Sequence, residues 1–173
     1  MIGLQGQREF DWTELDAEGQ FSQVEEAEHP DLTAFVAYWN AKRDGRAMPG
    51  RGDLAPSEMK AYLPRLHIYD VIDGGRDFRI RLMGTRLSSG WRRDPTGALV
   101  SEQEDKGFAR RVPRILNKVL SARAPVRFTA EHAAADRFRH QRVECVWLPL
   151  GRQEIESIIA QTIFSGVNRL VRA

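Results

Sequence analysis

Leu32, Phe35, Val36 and Trp39 recur at i, i+3, i+4 and i+7, the apolar stripe of an amphipathic helix. Pro30 suits the first turn of that helix and Asp44-Gly45 stops it after Arg43. Residues 44–55, with Gly45, Pro49, Gly50 and Gly52, read as a loop. Pro56 opens a short predicted helix over Ser57–Tyr62, and Pro64 closes it. The pattern then changes period. Leu66–Val71 is rich in β formers, and Gly74-Gly75 signals a hairpin. Asp77–Met83 alternates, with Phe78, Ile80 and Leu82 on one face and Arg79, Arg81 and Met83 on the other. Gly84 allows a sharp turn into a short helical piece, Arg86–Trp91.

A second amphipathic helix spans Phe108–Ala122, with Val112, Ile115, Leu116 and Val119 on its apolar side. Pro113 is awkward beyond a first turn, so this helix either starts later than Gly107 or bends. Three strands follow, Val126–Ala133, Arg142–Leu150 and Ile155–Phe164. The order predicts an α+β protein: a five-stranded antiparallel sheet with helices on one face, preceded by an N-terminal extension and helix. Residues 1–28 are polar and acidic and read as an extension, residues 29–166 as the domain, and 167–173 as a short basic tail.

The chain of 173 residues has the size of one domain, and its 42% hydrophobic and 29% charged content is that of an ordinary soluble protein. A net charge of +2 argues against a polyanionic partner for the whole molecule, so no nucleic acid is expected. The single cysteine, Cys145, cannot form an internal disulfide and lies in an apolar strand pattern, where a thiol packs as a small hydrophobe. That fits a reducing, cytoplasmic setting. Neither a signal peptide nor a membrane span is evident, because the run Ile155–Val167 is broken by Glu156, Ser157, Gln161 and Thr162.

The order of elements and a series of local residues resemble the PAS domains, in particular a short single-domain subgroup found in bacteria. Tyr38-Trp39, Arg43, Gly45-Arg46, Pro49, Arg51, Asp53, Pro56 and Leu63-Pro64 carry the first half of the likeness. Phe78-Arg79, Arg81-Leu82, Gly84-Thr85, Thr96-Gly97 and Leu148-Pro149-Leu150 carry the second, and together they cover residues 30–165. The resemblance implies a sensory or protein-interaction module that holds a small ligand between sheet and helices, or none. It implies action by contact with a signalling protein or with a second copy as a homodimer. In the loop, Arg51 and Asp53 are expected to fix geometry through charge-assisted hydrogen bonds.

No catalytic set accompanies these features. The histidines, His29, His67, His132 and His140, lack metal spacing, and the glycines form neither a phosphate-binding loop nor a nucleophile elbow. Neither haem nor flavin is indicated: none of the histidines is on the long helix, and Cys145 is on a strand. A non-enzymatic function follows, with no cofactor or metal assigned. A ligand pocket, if the domain has one, is expected among Phe78, Ile80, Leu82, Leu87, Trp91, Ile115, Val119 and Phe128; the same residues serve equally as plain core. Arginine outnumbers lysine 22 to 4. Arg79 and Arg81, on one face of a strand, are the candidate clamp for an anion such as a nucleotide; the competing reading is a solvated outer face.

Overall fold

A computed structural model describes residues 22–88, 91, 93–133 and 139–168. Its centre is an antiparallel sheet of strands β1 (Ser22–Val24), β2 (Leu66–Ile72), β3 (Asp77–Met83), β4 (Val126–Ala133), β5 (Arg139–Gly151) and β6 (Ile155–Asn168). They lie side by side in the order β1-β4-β5-β6-β2-β3. Five of these strands are the expected ones. The sixth, β1, comes from the acidic segment before the first helix and pairs Gln23 with Phe128 of β4. Its three residues are too few to show an alternating pattern, which is why the sequence does not announce it.

Helix α1 (Pro30–Arg43) buries Leu32, Phe35, Val36 and Trp39, the predicted stripe. His29 caps it, its Nδ1 accepting the Asp31 N–H at 3.2 Å, and Asp44 ends it in the left-handed region at φ 47°. Helix α2 (Thr85–Ser88) takes up the start of the piece expected over Arg86–Trp91, of which residues 89 and 90 lie outside the described residues. The predicted helix over Ser57–Tyr62 is instead a run of turns leading to a 3-10 turn at Leu63–Arg65. Helix α3 (Lys106–Ala122) neither starts late nor needs Pro113 in its first turn: Asp105 caps it through the Phe108 N–H, and Pro113 sits inside it. The Pro113 ring removes one helical donor, but Phe108, Val112, Ile115, Leu116 and Val119 keep the helix fastened by burial.

Helices α1 and α3 cover opposite faces of the sheet. In an antiparallel ladder, directly paired residues share a face. Val126, Trp147, Ala160 and His67 therefore line one face abreast, as do Phe128, Cys145 and Thr162 in the next row. Helix α3 lies on this inner face, with Lys118 Nζ 5.6 Å from the Phe128 ring centre. The other face carries Glu144, Val146, Leu148 and Leu150 of β5. Glu144 Oε2 accepts the Glu28 and His29 N–H groups at 2.9 and 3.1 Å, placing α1 there. Trp39 adds a second tie by donating its indole N–H to the Pro149 carbonyl at 2.9 Å.

The β2–β3 hairpin turns as expected, with Asp73, Gly74 and Gly75 all at positive φ. Gly84 works differently from a flexible turn residue. A Cβ there would lie 2.5 Å from the Pro64 carbonyl oxygen, and the Gly84 N–H donates to the Leu66 carbonyl at 2.7 Å. The constraint is close backbone approach. Gly84→Ala is expected to cost about 2–3 kcal/mol of unfolding free energy, the range for overpacking a rigid site. Gly74→Ala, with open space around it but φ at 67°, is expected to cost about 1 kcal/mol from backbone strain. Chemical denaturation of both variants checks the pair; equal losses would show that approach at Gly84 is not the constraint.

Candidate functional site

The space between the inner face and α3 is where the sequence places a pocket, and the structure fills it with side chains. Phe78, Ile80, Ile115, Val119 and Phe128 are each at most 5% exposed and belong to one continuous core. Phe78 and Ile80 face inward from β3, opposite Val71 and Tyr69 of β2. Ile115 and Val119 enter from α3. Leu82 and Trp91 are half-buried against this core, and Trp91 sets its ring edge-on to Phe108 at 5.0 Å. Leu87 of α2 is buried but outside that continuous cluster.

Within this apolar floor lies a polar set that sequence reasoning missed. His67, Tyr69 and Trp147 form an aromatic cluster: His67 stands edge-on to Trp147 at 4.7 Å, and Tyr69 stacks on Trp147 at 5.8 Å. His67 Nδ1 is hydrogen-bonded to the Tyr69 hydroxyl at 3.1 Å and Nε2 to Thr162 Oγ1 at 3.0 Å. A neutral imidazole needs one donor and one acceptor, and two hydroxyls satisfy either tautomer. Trp147 donates its indole N–H to Cys145 Sγ at 3.1 Å. The available signal was His67 and Tyr69 two apart on a strand, hence on one face. Thr162 and Trp147 join them only through strand register, which one strand's pattern does not reveal.

Burial decides the electrostatics of this set. It pushes the His67 pKa down to about 3, raises the Tyr69 phenol above its ordinary value, and pushes the Cys145 thiol up to about 12. All three are neutral at pH 7. The Cys145 thiol is thus a packed hydrophobe with a weak polar contact, as its strand pattern suggests.

The candidate arginines sit on the opposite side of β3 and are engaged. Arg81 donates to Asp70 Oδ2 at 2.8 Å, while Asp70 Oδ1 accepts from Ser157 Oγ at 2.8 Å. Arg79 donates to the Gly97 carbonyl at 3.0 Å, where Arg79 also bridges to Leu99 beside β3. The two guanidinium groups share a face, but each is aimed at a protein acceptor. In the loop, Asp53 accepts the Gly50 N–H at 2.7 Å and Arg46 at 2.8 Å. The Gly50 N–H first, and Arg46 second, hold its carboxyl below the usual range. Arg51 reaches away from this turn, to Asp70 at 3.8 Å.

The geometry so far is a sheet with strand order β4-β5-β6-β2-β3 and a helical segment between β3 and β4, which defines an α+β domain built on one antiparallel sheet. Comparison with protein families matches residues 27–163 to the PAS domain. The chain belongs to the PAS domain family. No curated protein and no solved structure matches it. PAS domains are typically sensory and non-catalytic modules. No helix among the described residues is long and apolar enough to cross a membrane.

The buried imidazole makes stability depend on pH. Its folded pKa lies below the unfolded value of 6.5, so the unfolded chain binds the proton first as pH falls. The stabilisation from neutral His67 is complete above about pH 6.5 and is lost progressively toward pH 3. Urea titrations at pH 7 and 5 are expected to differ by about 2 kcal/mol from this group alone. His67→Gln should remove most of that difference. An unchanged pH dependence in the variant would assign it to other groups.

Proposed function

We propose that this PAS domain is a non-enzymatic, cytoplasmic signalling module that works through protein–protein contact, as a homodimer that engages a further signalling protein. The observation that carries this reading is the filled interior. Phe78, Ile80, Ile115, Val119 and Phe128, the side chains best placed to line a cavity, are spent on one another, on α3 and on the sheet. A module built this way transmits through its surface. Among the described residues the large apolar side chain counted as exposed is Leu63, at 38%. The contact surface on the described part is accordingly polar and charged, in keeping with regulated contacts more than with a permanent apolar interface.

A second reading is that of a small-molecule binding protein for an apolar or anionic ligand, which also gates the contact. On this reading a ligand parts the buried set His67, Tyr69 and Thr162 from one another, and their hydroxyls and neutral imidazole then orient it within the apolar wall. The two readings differ in the mass of the native particle. Native mass spectrometry of the purified protein, set beside its denatured mass, is expected to show twice the chain mass with no excess. Retained extra mass would move the conclusion to the binding protein, and a particle of single-chain mass at all concentrations would remove the homodimer.

A further inference from the structure

Resting on the protein-contact reading, we infer that the groove between α3 and β1 is the docking site for an extended, acidic segment of a partner protein. The groove is shallow and open to solvent, has a volume of about 510 Å3, and is lined by Gln23, Arg114, Asn117, Lys118, Ser121 and Val126 among others. Three features point to that occupant.

The first is charge. Arg114 and Lys118 are one helical turn apart, so both project from the same flank of α3 into the groove. Both are exposed, and neither forms an ion pair among the described residues. This contrasts with Arg51, Arg65, Arg81, Arg123 and Arg142, each set against a carboxylate. The Lys118 ammonium lies 5.6 Å from the Phe128 ring centre, a cation–π contact that steadies its position.

The second is the sheet edge. Strand β1 pairs with β4 on one side and with no other strand among the described residues. Its second edge therefore offers backbone donors and acceptors to an added strand. At the far side of the sheet the equivalent opening is covered: Ile80 of β3 donates to the Ala98 carbonyl at 2.9 Å and accepts from the Gly97 N–H at 2.7 Å. The third is composition. Gln23, Asn117 and Ser121 add neutral polar groups that hydrogen-bond a peptide without selecting its side chains. Carboxylates two residues apart on an extended segment fall on one face, the spacing needed to meet Arg114 and Lys118 together. A bare phosphate would use the cations and leave the edge unused.

The test uses the full chain and a fluorescein-labelled peptide of alternating Glu and Val, about eight residues long, read by fluorescence anisotropy. Binding should weaken about tenfold or more in the Arg114→Glu, Lys118→Glu double variant. It should also weaken as ionic strength rises from about 0.05 to 0.3 M. Arg86→Glu on α2, outside the groove, should leave it unchanged, and melting curves confirm that each variant is folded. An alternating Lys and Val peptide should not bind. The inference is overturned by no binding up to about 1 mM peptide, by insensitivity to the double variant, or by equal binding of inorganic phosphate and peptide at this site. It is also overturned if peptide binds only after Glu9, Asp11, Glu14, Asp16 and Glu18 are all changed to Gln or Asn, which would assign the groove to this chain's own acidic residues. The native mass spectrum separates the two failures: a dimer without peptide binding leaves the contact reading standing and removes only this partner.

Discussion

The structure depends on one constraint: β5 and β6 are buried on both faces. Along β5, Val146, Trp147, Leu148 and Leu150 are essentially inaccessible although successive residues point to opposite sides, and Ile158, Ile159 and Ala160 repeat this on β6. A sheet with one wet face would show alternation there. Two covering layers are therefore obligatory, and the rest of the chain supplies them. Helix α3 covers the inner face, while α1 and the loop carrying Met48, Leu54 and Met59 close the other. The α1 layer is also fixed in position by polar ties, Glu144 at its start and the Trp39 indole near its end. Each is directional, which sets orientation where apolar packing alone would allow sliding.

The same double burial explains the polar cluster. Polar atoms in a two-sided interior must be satisfied internally or cost about 1–3 kcal/mol each. His67 of β2 is satisfied by Tyr69 on the same strand and by Thr162 of β6, and the Trp147 indole by Cys145 within β5. The cluster thus reports strand register: a slip of one residue would turn His67 to the α1 side and leave it without the Thr162 hydroxyl. Its neutrality at pH 7 and its aromatic contacts make it a specificity device in the middle of an otherwise non-directional core.

Much of this was legible from sequence because it is periodic. The stripe Leu32, Phe35, Val36, Trp39 and the alternation from Phe78 to Leu82 follow directly from helical and strand geometry, and the order of elements leads to the antiparallel sheet. The family resemblance rests on those same positions and on the loop residues between them. What escaped was set by tertiary partners. Residues 57–62 have the composition of a short helix, yet the approach of Gly84 to Leu63 and Pro64 ties the segment's end to the sheet, and turns form instead. Pro113 disfavours a helix interior, but burial around it outweighs the missing hydrogen bond. The polar breaks in the last apolar run are the most instructive. Ser157 and Thr162 looked like interruptions; they are the β6 partners of Asp70 and His67. Only the pairing of β6 with β2 gives them that meaning.

Arginine content misleads for a related reason. Abundant guanidinium groups suggest an anion site wherever two fall on one face, and Arg79 and Arg81 do. The outer face of β3, however, also faces Asp70 of the neighbouring strand and the carbonyl of Gly97, and these acceptors occupy both side chains. Charge acquires a role only after local acceptors have been counted. By that measure the strand pair is spent, whereas Arg114 and Lys118 on α3 form no ion pair among the described residues and have the neutral neighbours Gln23, Asn117 and Ser121. The same helix that seals the core with Ile115, Leu116 and Val119 turns these residues outward beside β1. A contact made there bears on a helix whose opposite side is locked into the inner face, so what happens at the groove and what holds the core together are carried by one rigid element.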